Sequence, residues 1–181
     1  MKAFNGDYYL AEHFLDLKER YKINTVIETG TFEGDTTLWL SENFFQVFTI
    51  ENNRMYYDNA VQRFNGSNIQ QLFGDSAQQL IPILAMLQEQ FILFLDAHWG
   101  KNPLLGELKA VKHSGKKPII IIHDFKVPDK DFGYDEYKEQ GIVYEWKYIE
   151  KAVHDIYGNN FERKFNWQAA GSRRGYVTII P

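Results

Sequence analysis

The chain has 181 residues, of which 44% are hydrophobic, and a formal net charge of −4; that is enough for one domain with a real core and too little for two of typical size. No basic run exceeds a pair (Lys116-Lys117, Arg173-Arg174), so the broad positive footprint of nucleic-acid binding is missing and small molecules are the expected partners. With no cysteine, no apolar signal region at the start and no stretch near the ~18 apolar residues of a membrane span, the sequence excludes a disulfide framework or thiolate metal site and reads as soluble and cytoplasmic.

In chain order, residues 7–21 carry Tyr8, Leu10, Ala11, Phe14, Leu15 and Leu17 at helical spacing, with Lys18 and Arg20 in the last turn. Phe4, Tyr8 and Tyr9 in front of this helix fit either a substrate lid or core contacts, and core contacts are the more common use. Residues 25–27 form a buried strand that ends in Glu28. A glycine turn (Gly30 to Gly34) leads into a helix over 36–43, capped by Asp35 or Thr36, with Trp39 as packing. The second strand, QVFTIE, ends in Glu51. A helix over 53–64 follows and is stopped by Asn65-Gly66-Ser67. Residues 69–73 are the third strand, Gly74-Asp75-Ser76 its turn, and 77–87 a helix with Pro82 in its first turns.

FILFL (91–95) and PIIII (118–122) are unbroken apolar runs, the pattern of strands covered by helices on both faces. The first delivers Asp96-Ala97-His98-Trp99-Gly100 and the second His123-Asp124-Phe125 to the same sheet edge, where open α/β sheets place reacting groups. The helix between them spans 103–112, leaves Glu107 available to face back toward that edge and ends at Gly115. Residues 126–141 are polar, aromatic and too long for a plain link, which suggests a lid. A helix over 142–157 and two strands, 161–166 and 175–180, complete the chain. No repeat or low-complexity segment interrupts it.

The stretch TVIETGTFEGDTT (25–37) carries the chemistry. Its glycines are spaced G-x-x-x-G, which is neither the G-x-G-x-x-G of dinucleotide sites nor a P-loop. No Lys or Arg lies between Thr25 and Asn53, while Glu28, Glu33 and Asp35 crowd the turn. Such a loop repels phosphate and suits a cationic ligand. S-adenosylmethionine has no phosphate, carries a sulfonium, and offers a ribose diol for which Glu51 stands at the usual distance.

With these residues the chain resembles the class I S-adenosylmethionine-dependent methyltransferases, and most closely their O-methyltransferase branch, which includes catechol O-methyltransferase and the macrocin-type enzymes. E-T-G-T-F-E-G-D-T-T matches the pattern E-x-G-[TA]-[FY]-x-G-x-[ST] of that branch. Glu51, Gly74-Asp75-Ser76, Leu95-Asp96 with His98-Trp99, and His123-Asp124 follow in register. The resemblance implies an α/β, Rossmann-like fold: a mostly parallel seven-stranded sheet in the order 3-2-1-4-5-7-6, strand 7 antiparallel, with helices on both faces. It implies one domain over 1–181 that moves a methyl group from S-adenosylmethionine to a small-molecule acceptor, a hydroxyl in this branch.

The same resemblance implies cofactor contacts at Glu28, Gly30, Thr31, Phe32, Gly34, Thr36, Thr37, Glu51, Asn52, Asp75, Ser76 and Asp96. Asp75 would take the adenine amino group, although it could equally cap the next helix. Asp96, His98, His123 and Asp124 are the implied catalytic group. Metal-dependent relatives place a divalent ion on acids after the fourth and fifth strands, so Asp96, Asp124 and His123 are the candidate ligands. Oxygen donors suit Mg²⁺ or Mn²⁺, and the histidine departs from that pattern, leaving Zn²⁺ or no metal also open. Without a metal, His98 or His123 would act as general base near its ordinary pKa. Two further readings stay open: a nicotinamide-dependent oxidoreductase on a similar sheet, and a non-catalytic binding protein with this fold. A homodimer is open as well.

Overall fold

Each of the first four strands is followed by a helix that leads to the next, an alternation that lays five strands down in parallel and brings their carboxyl ends to one edge. The computed structural model describes residues 3–64, 68–97 and 102–181. Its strands are β1 Thr25–Thr29, β2 Gln46–Glu51, β3 Ile69–Phe73, β4 Phe91–Leu95, β5 Ile119–His123, β6 Glu136–Tyr137, β7 Ile142–Val143, β8 Glu162–Phe165 and β9 Tyr176–Ile180. The helices are α1 Tyr8–Tyr21, α2 Asp35–Asn43, α3 Arg54–Arg63, α4 Ser76–Met86, α5 Leu104–Ser114 and α6 Trp146–Tyr157. Seven strands form one sheet in the order β3-β2-β1-β4-β5-β9-β8. β1 to β5 are parallel and β9 runs antiparallel between β5 and β8. This is the expected order, since β6 and β7 form a separate hairpin.

Alternation along each strand divides the core in two. Ile27, Phe48, Leu93, Leu95, Ile120 and Ile122 pack with α4, α5 and α6; Val26, Val47, Ile92, Phe94, Ile119 and Ile121 pack with α1 and α2. β1, β4, β5 and β9 are buried along their whole length, as the apolar runs require. Phe4 belongs to this core, its ring 5.0 Å from those of Phe14 and Trp39 and 5.8 Å from that of Phe94. Trp39 is a packing residue, and the lid reading does not hold for Phe4.

Four local expectations are corrected. The N-cap of α2 is Gly34, left-handed and without a side-chain cap; Asp35 pairs with Arg63 at 2.5 Å, and Thr36 Oγ1 accepts from the Phe4 N–H at 3.0 Å. Pro82 lies in the middle of α4 and not in its first turns, where it removes the bond to the carbonyl four residues back. α6 starts at Trp146, because Ile142 and Val143 pair with Tyr137 and Glu136. Residues 126–141 dock on the sheet edge: the Asp135 N–H donates to the Asp124 carbonyl at 2.8 Å and Gly133 N–H to the Arg173 carbonyl at 2.9 Å. The stop expected at Asn65-Gly66-Ser67 lies outside the described residues.

Candidate functional site

Hydrogen bonds continue past the strand ends and lock the loops of the site together. Gly30 N–H donates to the Ile50 carbonyl at 2.9 Å, Asp96 N–H to the Thr29 carbonyl at 3.1 Å and Gly74 N–H to the Glu51 carbonyl at 2.9 Å. Gly30 has φ +87°, and a Cβ there would stand 2.6 Å from the Asp96 carbonyl oxygen. At Gly34, φ +81°, a Cβ would meet the Phe64 ring at 2.8 Å. Both glycines are therefore demanded by the protein's own packing as well as by any ligand above them.

The loops enclose a cavity of about 690 Å³, within the range of small-molecule and cofactor sites. Of the residues expected to touch a cofactor, Gly30, Thr31, Phe32, Gly34, Thr36, Glu51, Asn52, Asp75, Ser76 and Asp96 line it. Glu28 and Thr37 do not. Glu28 is 1% exposed, beneath the turn, where its Oε2 accepts from Thr37 Oγ1 at 2.5 Å and Thr49 Oγ1 at 2.7 Å. Thr49 also bonds the Thr31 hydroxyl at 2.6 Å. Burial pushes the Glu28 carboxyl up to about 8, against the opposing pull of the two hydroxyls. It supports the loop from below.

Glu51 faces the cavity with both carboxylate oxygens held by the backbone. Its Oε2 accepts from Phe32 N–H at 2.9 Å and its Oε1 from Asn53 N–H at 2.8 Å, so the turn after β1 and the start of α3 hold the carboxylate between them. Asp75 caps α4, accepting from Gln78 N–H at 3.1 Å, and lines the cavity too; both uses coexist. The carboxylates on the lining are Glu33, Asp35, Glu51, Asp75, Asp96 and Asp124, and among the described lining residues there is no Lys, Arg or His. A cation does reach the turn from outside, since Arg63 at the end of α3 bonds the Glu33 carbonyl and Asp35.

At the ends of β4 and β5, Asp96, His123 and Asp124 meet. His123 Nδ1 lies 3.0 Å from Asp96 Oδ1 and 3.3 Å from Asp124 Oδ2. Burial alone would lower the histidine's pKa, but the Asp96 and Asp124 carboxylates outweigh it and hold the pKa well above its ordinary value. A pKa raised in this way does not fit His123 as a general base near its ordinary pKa. Asp124 has a left-handed backbone, φ 54°, and bonds Arg174, which also bonds Asp135. His98 lies outside the described residues.

No protein-family model matches the sequence, and neither does any curated protein. Solved structures match almost its whole length. One is the O-methyltransferase TomG from Streptomyces achromogenes, involved in tomaymycin synthesis and in complex with SAM: 17% identity, 95% of this chain and 79% of that one covered, TM-score 0.67. Another is the O-methyltransferase from Bacillus cereus in complex with SAH: 19% identity, 95% and 80% covered, TM-score 0.66. The chain has the class I methyltransferase fold. A third neighbour is the precorrin 8W decarboxylase encoded by gene MT0146 of Methanobacterium thermoautotrophicum, at 14% identity, 96% and 89% covered and TM-score 0.60. The reaction must therefore be argued from the site.

On this methyltransferase fold, Asp96, His123 and Asp124 offer ligand atoms within 4.8 Å of one another, which is close enough for a metal. The donor set in this arrangement does not fit one. A divalent ion would have to displace Arg174 from Asp124 and remove the Nδ1 proton that His123 shares with both acids. Both carboxylates are already engaged by the protein's own groups, Asp124 by Arg174 and both acids by His123.

The sequence reading assigned no cofactor contact to Asn5, Gly6, Glu33, Asp35, Ile50, Asn53, Tyr56, Gly74, Ala97 and Pro103, which also line the cavity. Asn5-Gly6 was a readable turn signal. Tyr56, whose ring lies 4.6 Å from that of Phe32, carried none, because it stands in an ordinary polar helix start.

Proposed function

We propose that the protein is an S-adenosylmethionine-dependent methyltransferase acting on a hydroxyl group of a small molecule. The observation that carries this reading is Glu51: a buried carboxylate at the end of β2, fixed by two backbone N–H groups and open to a cavity with acids on its wall. Two hydroxyl donors of a ribose diol can still reach its remaining lone pairs. S-adenosylmethionine supplies an electrophilic methyl group on a sulfonium, and a wall with no described cation suits that charge. The same wall disfavours a nicotinamide dinucleotide, since no Lys, Arg or His among the described lining residues meets its pyrophosphate.

Asp75 and Ser76 would hold the adenine end, Gly30, Thr31 and Phe32 the amino acid end. Asp96 faces the acceptor. Its carboxylate accepts a hydrogen bond from the acceptor hydroxyl, orients an oxygen lone pair toward the methyl group and takes up the proton as the bond forms. His123 below keeps Asp96 in place, while Arg174 holds Asp124 beside it. We take residues 1–181 as one domain, with small molecules in preference to nucleic acid as partners and a cytoplasmic location. No helix among the described residues is long and apolar enough to cross a membrane.

Titration calorimetry tests the reading. S-adenosylmethionine and S-adenosylhomocysteine should both bind, and transfer of a labelled methyl group should appear with a panel of hydroxylated aromatics and sugars. Absence of heat with either ligand at millimolar concentration would overturn it.

A further inference from the structure

Arg174 stands in the connection between β8 and β9. Its Nε donates to Asp124 Oδ1 and its Nη2 to Asp135 Oδ1, so one planar guanidinium spans two carboxylates, a geometry that the point charge of a lysine does not reproduce. Asp124 is 6% exposed and lines the cavity. A carboxylate buried to this extent needs such a partner.

The chain is shaped around this guanidinium. The Gly133 N–H donates to the Arg173 carbonyl at 2.9 Å, the Gly175 N–H to the Gly133 carbonyl at 2.8 Å and the Asp135 N–H to the Asp124 carbonyl at 2.8 Å. Asn166, 5% exposed, donates from Nδ2 to the Arg174 carbonyl at 3.3 Å and accepts at Oδ1 from the Tyr176 N–H at 2.7 Å. Gly133 is not left-handed. What excludes a side chain there is room, since a Cβ would stand 2.9 Å from Arg174 Cδ and 2.9 Å from its Nη1. Backbone on both sides of Arg174 therefore fixes it before any ligand arrives.

The acids at the ends of β4 and β5 come close enough together to hold a metal, yet a cation of the chain itself already stands on one of them. We propose that Arg174 is a built-in cation at this edge: a positioning residue that takes the place of a divalent ion on Asp124, holding that acid on the cavity wall and residues 133–135 beside it. A guanidinium is singly charged and tethered, whereas a divalent ion exchanges with solvent and keeps open positions for an oxygen ligand. Acceptor activation then falls to Asp96 without an exchangeable ion. That consequence rests on the methyltransferase reading; the place of the guanidinium does not.

Removing the guanidinium should leave two carboxylates facing one vacant place. Crystals soaked in millimolar MnCl₂ should show no anomalous peak bonded to Asp124 in wild type and a peak between Asp124 and Asp135 in Arg174→Ala. In solution the Asp135 amide should exchange roughly tenfold faster in that variant, the loss of one hydrogen bond to a charged group. Millimolar guanidinium should slow it again where equal urea does not, a rescue that a role in packing alone would not show. Manganese on Asp124 in wild type overturns the proposal, as does an Arg174→Ala variant that takes up no manganese or ignores guanidinium. Should that variant fail to fold, Gly133→Ala carries the test, because its methyl group pushes the guanidinium off the acids: faster exchange of the Asp135 amide supports the proposal and unchanged exchange overturns it. If the manganese results are as expected but S-adenosylmethionine does not bind in calorimetry, the methyltransferase reading fails and the built-in cation stands.

Discussion

Replacing Glu28 by glutamine should leave the protein nearly as stable as wild type at pH 5 and make it more stable at pH 8 and above. The carboxyl is buried and accepts from two threonine hydroxyls, and glutamine keeps an oxygen for both. In the unfolded chain Glu28 titrates near the ordinary 4.5, whereas in the folded chain it titrates near 8. Between those values the folded state keeps a proton that the unfolded state has released. Wild-type stability from this group is therefore full below pH 4.5, falls as pH rises, and levels off above about pH 8. A rise of about 3.5 pH units at ~1.36 kcal/mol each sets a ceiling of ~5 kcal/mol, and local relaxation brings the expectation to ~2–3. Urea unfolding of both proteins at half-unit steps from pH 5 to 9 measures it, provided the m-values agree. All other titrating groups are common to the two proteins, so the difference between the curves isolates Glu28. Parallel curves, or a glutamine variant weaker by a constant amount, would show that Glu28 is ionised throughout and that its threonine bonds are charge-assisted.

Glu51→Gln should weaken binding of S-adenosylmethionine by ~1.5–3 kcal/mol, the worth of hydrogen bonds to a charged group, in calorimetry. Its melting point should fall somewhat, because the amide N–H₂ replaces one of the two oxygens that accept from Phe32 and Asn53 N–H, and Glu51→Ala should lose more stability by releasing both N–H groups. Gly30→Ala forces a side chain at φ +87° against the Asp96 carbonyl and should cost ~2 kcal/mol or more in a denaturant melt. The wild-type melting point should not move with Mg²⁺, Mn²⁺ or a chelator; a rise with either ion would show that a metal displaces Arg174 from Asp124.

The sheet was legible because its signals are local. FILFL and the isoleucine run before His123 can be buried only on both faces, and the glycines of the first turn mark where β1 must bend. The hairpin of β6 and β7 was not legible, since two-residue strands leave no period to detect. Distance along the chain hid other parts of the site. The absence of cations between Thr25 and Asn53 is true of the sequence, yet Arg63 returns to the turn from the end of α3. Glu28 stands where a ligand-binding acid is expected, and only the threonines from α2 and β2 reveal that it is sealed under the loop. Asp96, His123 and Asp124 were found by strand-end position and by the family resemblance. The raised pKa of His123 could not be, because it depends on how closely two carboxylates flank one buried ring.

The two faces of the sheet differ in a way that bears on how the site is held. On the side of α4, α5 and α6, the inward-facing strand residues Ile27, Phe48, Leu93, Ile120 and Ile122 are apolar, so that face supplies cohesion. On the α1 and α2 side the same apolar packing runs up to Phe94 and Phe4 and then gives way to His123, Asp7 and the Thr36 hydroxyl that holds the Phe4 N–H. Burying a phenylalanine is worth ~1.5–3 kcal/mol, so Phe4 anchors the segment carrying Asn5, Gly6 and Asp7 more firmly than its surface contacts could. The wall of the cavity at this end is continuous with the core, and the positions of Asp96 and Asp124 are set by packing below them as much as by hydrogen bonds around them. A site built this way resists reorganisation when a ligand binds, which is what in-line transfer between two bound molecules requires.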